Sequence, residues 1–262
     1  MDKKNTILHS DDLTIGYHSK KQDLVLAKDL NLSLSQGELV CLMGKNGIGK
    51  STLLRTITKV QEQLSGEVFI ENDSLNSLNY NELARKISLV LTERIPSSNL
   101  TVYELIALGR QPYTNWIGTL TDKDKEQINF AIEQLGIEDL LSKKCDELSD
   151  GQLQRVMICR ALSQNTDIII LDEPTAHLDI QHKIETFKIL KNLAHNLNKS
   201  ILISTHEIQL GLQTADKLWL MTRSGILEGS PEEMIKKDQI NKLFDSKLVH
   251  FDKNSLQFSI SE

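Results

Sequence analysis

The residues best placed to do chemistry lie in Gly44-Lys45-Asn46-Gly47-Ile48-Gly49-Lys50-Ser51-Thr52. Gly44, Gly47 and Gly49 let a backbone curl until successive N–H groups point inward, a nest for phosphate oxygens. Lys50 can reach the outer phosphates of a nucleoside triphosphate, and the Ser51 hydroxyl can ligate Mg²⁺. Asn46 and Thr52 complete the candidate nucleotide-binding set within the same loop. Such a loop needs a strand before it and a helix after it, because the helix N-terminus adds partial positive charge at the same place. Glu38-Leu39-Val40-Cys41-Leu42-Met43 reads as a buried strand, and Leu53-Leu54-Arg55-Thr56-Ile57 as a helix with an apolar face. A glycine-rich turn could match the spacing by accident; its flanks argue for a phosphate site.

Two acids form the second signal. Ile168-Ile169-Ile170-Leu171 is an apolar run that ends in Asp172-Glu173. A carboxylate at the C-terminal end of a buried parallel strand sits at the sheet edge where ligands bind. Asp172 is placed to hold Mg²⁺ through water, and Glu173 to act as general base toward an attacking water. Read blandly, a strand simply ends in two acids before the Pro174 turn; the phosphate loop upstream favours the chemical reading. The third signal is Leu148-Ser149-Asp150-Gly151-Gln152. It is a serine-capped helix start, and a helix N-terminus with a small hydroxyl can bind a phosphate. His206 follows a further apolar run, and Tyr17 follows the first alternating stretch.

The elements that must position these groups are legible as a pattern. Thr6 to Ile15 and Val25 to Leu34 alternate apolar and polar residues, as antiparallel strands with one buried face do. Further buried strands are expected at 67–70, 87–91, 167–171 and 200–204, with helices at 79–86 and 181–197. Strand–helix alternation with continuous apolar strands predicts a largely parallel sheet covered on both faces. From Pro96 to about Gln164 the pattern is helical only. Thr101 with Glu104 makes a capping box, Thr121 opens a helix that stops at Gly136, and Ser149 caps one running to Leu162. Lys217 to Met221 and Gly225 to Leu227 read as a final hairpin. Ser230-Pro231 opens a helix, and strands are expected near Val249 and Gln257.

The chain's 262 residues suffice for a sizeable core. Its formal net charge of −6 and 5% aromatic content argue against a nucleic-acid partner, which would need a basic face or stacking rings. Cys41, Cys145 and Cys159 are too scattered for a zinc site or disulfide framework, so buried thiols in a reducing compartment are expected. No stretch is long and apolar enough to cross a bilayer and none reads as a signal peptide, so a cytoplasmic location is expected.

In this order and spacing the motifs resemble the nucleotide-binding subunits of ATP-binding cassette (ABC) transporters, over about residues 10 to 230. Gly44 to Ser51 resembles the Walker A loop, and Ile168 to Glu173 the Walker B strand with its catalytic glutamate. Leu148 to Gln152 resembles the signature motif. Ala176-His177-Leu178-Asp179 resembles the D-loop, and His206 the switch histidine. Tyr17 stands where the family places an aromatic that stacks on adenine.

The resemblance implies an α/β fold: a P-loop NTPase core with a mainly parallel sheet, an antiparallel β subdomain and an inserted α-helical subdomain. A RecA-like core with the antiparallel subdomain would span 1–92 and 165–229, the helical subdomain 93–164, and a C-terminal extension 230–262. It implies ATP and Mg²⁺ as cofactors, with two subunits packed head to tail as a homodimer. Ser149, Gly151 and Gln152 of each subunit would then meet the ATP held by the other's P-loop, and His206 would orient water and γ-phosphate. Two positions depart from the pattern. Asp150 stands where the signature usually has a glycine and is expected to face solvent or a helix partner, away from phosphate. Thr92 and Glu93 stand where the family has its Q-loop glutamine.

The same resemblance implies an ATPase working at the cytoplasmic face of the membrane, driving separate integral permease subunits, with a periplasmic or surface substrate-binding protein engaged indirectly. Thr101 to Arg110 resembles the segment found in importers of ferric siderophores, haem and cobalamin. The alternatives are a soluble ABC-type ATPase in cluster assembly or translation, and the ATPase of an exporter. A DNA-repair ATPase would carry a long coiled coil splitting the cassette, which this sequence lacks.

Overall fold

The computed structural model describes residues 5–20, 22–91, 99–244, 249–253 and 257–260. The chain opens with β1 (Thr6–Tyr17), β2 (Leu24–Leu30) and β3 (Ser33–Ser35). It then enters the apolar strand β4 (Leu39–Gly44) and helix α1 (Lys50–Ile57). The alternating stretch expected as one strand at 25–34 is broken into two. Its break falls at Asn31, whose side chain bonds Asp12, and at Leu32, whose N–H donates to the Ser10 hydroxyl at 3.0 Å.

Strands β5 (Ser65–Ile70) and β6 (Asp73–Ser74) join β1, β2 and β3 in an antiparallel sheet of order β2-β1-β5-β6, with β3 also on β1. Helix α2 (Tyr80–Lys86) starts at the Asn79–Glu82 capping box and runs into β7 (Ile87–Val90).

The described residues from 99 to 167 hold helices and no strand longer than an isolated bridge. Helix α3 (Val102–Ala107) has the expected Thr101–Glu104 box, then tightens into a 3₁₀ turn over Leu108–Tyr113. Helix α4 (Asp122–Leu135) is boxed by Thr121 and closed by Gly136 at φ +59°. Helix α5 (Asp150–Ser163) is capped by Ser149, with Gln152 reaching back.

The chain then returns to the sheet through β8 (Ile168–Leu171), α6 (Ile180–Leu197) and β9 (Ser200–Thr205). A short helix α7 (Ile208–Thr214), not evident in the sequence pattern, leads to β10 (Lys217–Thr222) and β11 (Gly225–Gly229). The tail holds α8 (Pro231–Lys236), with proline in its first turn, and the hairpin of β12 (Val249–Asp252) and β13 (Gln257–Ile260).

The large sheet has the order β11-β10-β4-β9-β8-β7. All its pairings are parallel except β10 with β11. So β10, expected only as a hairpin arm, also extends the parallel sheet beside β4. Successive side chains of a strand point to opposite faces, and both faces here are dry. Leu39, Cys41 and Met43 share one core with Ile169, Leu171, Ile201, Ile203 and the buried faces of α3, α4 and α5. Val40 and Leu42 share the other with Ile168, Ile170, α1 and the antiparallel sheet. This is why β4, β8 and β9 read as unbroken apolar runs. All three cysteines are free and buried, and burial pushes the Cys159 thiol up to about 12.

Candidate functional site

The parallel strands β4, β8 and β9 end at one edge of the sheet, and the motifs hang from those ends. Beyond β4 the loop needs backbone that only glycine adopts without strain: Gly47 has φ +74° and Gly49 φ +118°. A side chain at Gly49 would also press on Met221 and Leu26. Helix α1 begins at Lys50, so its first N–H groups face the loop. The Lys50 side chain folds back into the curl. Its Nζ donates to the carbonyls of Gly44 at 3.2 Å and Lys45 at 3.4 Å.

The same amine lies 3.5 Å from Glu173 Oε1 and 3.1 Å from His206 Nε2. His206 Nε2 is in turn 2.8 Å from Glu173 Oε1. Cation, carboxylate and imidazole therefore converge on one point from three stretches far apart in sequence. One ring nitrogen cannot serve both neighbours at once: it accepts from Lys50 or donates to Glu173, and the proton it carries decides which. Lys50 is 5% exposed, and burial lowers its ammonium pKa, an effect that the charge and hydrogen bond of Glu173 oppose.

The backbone fixes the carboxylates. Asp172 N–H donates to the Val90 carbonyl at 2.9 Å, holding the end of β8 against β7. Glu173 has φ +48°, a left-handed conformation uncommon for a non-glycine residue, and its N–H donates to Ser204 Oγ at 2.8 Å. Ser204 Oγ donates to Asp172 Oδ1 at 2.6 Å. Ser204 thus ties both acids to β9, a role that sequence reasoning missed. Its only signal was a hydroxyl at the end of an apolar run.

The donor set suits Mg²⁺. That ion keeps several waters and takes only one or two hard oxygen ligands from protein, the rest coming from substrate phosphates. Ser51 at the start of α1 and Asp172 at the end of β8 are such donors, and no cluster of three or more metal-binding side chains occurs among the described residues.

Tyr17, 47% exposed, ends β1, and its hydroxyl lies 3.0 Å from Thr52 Oγ1 on α1. Asn46 is exposed at the loop's tip. Ser149, Asp150 and Gln152 stand at the start of α5, with Ser149 and Asp150 exposed and Gly151 buried. Asp179 caps α6 by accepting from the His182 N–H at 2.9 Å. Among the described residues no hydrogen bond brings Ser149 or Asp179 to the Lys50 cluster. Thr92 and Glu93 lie outside the described residues. Leu243 and Phe244, from the tail, line a cavity of about 450 Å³ with Lys45, Asn46, Thr205 and His206, a neighbour of the loop that no motif announces.

A sheet of this order, a glycine nest and an acid pair two strands away define a nucleoside-triphosphate-hydrolysing cassette. The ABC transporter family model matches residues 27–176, and the chain belongs to that family as an ATP-binding, ATP-hydrolysing subunit. It is 38% identical over 246 residues to an uncharacterised ABC transporter ATP-binding protein of Methanocaldococcus jannaschii, covering 94% of this chain and 83% of that one. It is 31% identical to an iron(3+)-hydroxamate import ATP-binding protein of Bacillus subtilis, covering 92% and 90%. A solved dimeric ATP-binding cassette in a post-hydrolysis state, bound to ADP and Pi, superposes with a TM-score of 0.73 at 27% identity, over 86% of this chain and 98% of that one.

Proposed function

We propose that this chain is the ATPase of an importer that takes up a ferric siderophore through separate membrane permease subunits. The observation that carries the catalytic part is the convergence of Lys50, Glu173 and His206 within 3.5 Å at the sheet edge. In this reading the N–H groups of 44–52 cradle the phosphates, and Lys50 Nζ binds the β- and γ-phosphates. Glu173 Oε1 takes the proton of an attacking water while His206 holds that water and the γ-phosphate in line. Ser51 and Asp172 would hold magnesium, which supplies charge neutralisation on the phosphates. Tyr17 offers its exposed ring to adenine, its hydroxyl anchored on Thr52.

The trans half of the reading uses the other motifs. Ser149, Gly151 and Gln152, at a helix N-terminus away from the Lys50 cluster, serve the ATP of a second copy, and Asp179 faces the joint. Asp150 is exposed and sits in the first turn, where it favours the helix dipole. The homodimer closes on ATP and reopens after hydrolysis. The domain divisions expected from the sequence, including the helical insertion at 93–164 and the extension at 230–262, belong to the same proposal. No helix among the described residues is long and apolar enough to cross a membrane, so in this reading the subunit docks on the permease from the cytoplasmic side.

The cargo assignment is supported by relatives named for siderophore transport, petrobactin import and iron(3+)-hydroxamate import. The test is growth of a deletion strain under iron limitation. The wild-type gene should restore growth on siderophore-bound iron, and a Lys50→Ala gene should not. Intact siderophore uptake with lost haem or cobalamin uptake would move the cargo. If uptake of all three is intact while export of some compound fails, the importer reading is refuted.

A further inference from the structure

Gly151 is buried, and the reason is a contact across helices. A Cβ built on it would lie 2.7 Å from His182 Cγ and 2.9 Å from His182 Nε2, closer than real side-chain contacts come. The imidazole of His182, in the first turn of α6, therefore lies against the bare Cα of Gly151, in the first turn of α5. The ring is held there from its other side: Nδ1 is 2.8 Å from Asp179 Oδ1, the carboxylate oxygen that also caps α6 through the His182 N–H. One turn further along, the same two helices are joined again. Arg155 Nη2 donates to Glu185 Oε2 at 2.8 Å, and Gln181 Nε2 donates to Glu185 Oε1 at 3.0 Å.

We infer that His182 is a positioning residue that sets the signature turn of α5 against the D-loop end of α6 by seating its ring on Gly151 while bonded to Asp179. The inference deepens the proposed function and rests on its two-copy sandwich. In that reading Ser149, with Gly151 and Gln152, serves its partner's ATP, and Asp179 faces the joint. The helices that carry them, α5 and α6, meet at His182 on Gly151 and again at the Arg155–Glu185 pair. The His182 clasp fixes that meeting with two contacts, and it gives position 151 a packing reason to be glycine: a larger residue would have to displace the ring. Among the described residues His182 makes no hydrogen bond to Lys50, Glu173 or His206, so its effect is on assembly rather than on the cis phosphate cradle.

The experiment uses the full-length chain with Glu173→Gln, which in the proposed function binds ATP without cleaving it. A fluorescent ATP analogue at low protein concentration reads affinity in the monomer. Sedimentation across a protein dilution series with ATP reads the dimer dissociation constant. His182→Ala should leave monomer ATP affinity within about twofold and weaken the ATP-dependent dimer by about tenfold, the size expected for neighbours coupled through one contact. His182→Phe keeps a ring over Gly151 without the bond to Asp179, and its dimer should lie closer to the parent than to the alanine variant. A dimer constant unchanged in His182→Ala overturns the inference, as does monomer ATP affinity that falls in parallel. A phenylalanine variant no better than alanine overturns it as well. If the Glu173→Gln parent itself does not dimerise with ATP, the sandwich reading fails and this inference with it; a dimerising parent with an equally dimerising His182→Ala refutes the inference alone.

Discussion

Lys50 carries two opposed demands. Burial penalises its charge, and the adjoining Glu173 opposes that penalty while the carbonyls of Gly44 and Lys45 accept its hydrogen bonds. A cation held this way is pre-aimed at phosphate, because its stem is already packed and its donors already converge on the nest. Removing it by Lys50→Ala deletes a charge-assisted contact worth about 1.5–3 kcal/mol, so ATP affinity should fall by about 10- to 100-fold in calorimetric titration. Affinity that stays within twofold would mean that the amine does not grip phosphate. At this scale most of the site was legible, because a glycine nest, a paired acid and a strand-end histidine have compositional signatures. Ser204 and His182 were not. Each is a common residue type whose role arises from a neighbour more than twenty residues away, Asp172 for one and Gly151 for the other.

Among the elements, the helical block is locked by a buried charge pair. Arg110, 3% exposed, donates from Nε to Asp124 Oδ1 at 2.9 Å and from Nη1 to the Ser163 carbonyl at 2.8 Å. Its guanidinium lies 3.9 Å from the Tyr113 ring centroid. One side chain thus joins the turn after α3, the start of α4 and the end of α5. Burial alone would raise the Asp124 carboxyl, but the Thr121 hydroxyl and N–H together with Arg110 hold it below its ordinary value. Asp124 therefore contributes stability above the ordinary carboxylate pKa, and the contribution is lost as pH falls through the lowered native value. Asp124→Asn strands a buried guanidinium and should cost about 3 kcal/mol in chemical unfolding at pH 7, a deficit that narrows below about pH 4. An unchanged midpoint at pH 7 would show the pair to be idle. The capping boxes of α3, α4 and α5 were readable as local chemistry; this lock was not, because Arg110, Asp124 and Ser163 share no local pattern. Helix α7 escaped for a similar reason, being only seven residues long and held by Gly211 packed against Met43.

At the scale of the whole molecule, two buried cores on the faces of one sheet hold the ends of β4, β8 and β9 in register, and Lys50, Glu173 and His206 lie just beyond those ends. The parallel sheet was legible because its strands are apolar throughout. The extra place of β10 beside β4 was not, since a hairpin arm and a sheet strand share the same apolar run. Among the described residues Ser149 and Asp179 bond within their own helices and not to the Lys50 cluster, and in the proposed function they serve a second copy. The central claim is that Glu173 is the base in a site completed by that copy. It is tested most directly by Glu173→Gln in size-exclusion chromatography with ATP and Mg²⁺, followed by analysis of the bound nucleotide. The account predicts hydrolysis slowed by at least about 10²-fold and elution as a dimer carrying uncleaved ATP. A variant that stays monomeric with ATP, or that turns ATP over at the wild-type rate, would contradict it.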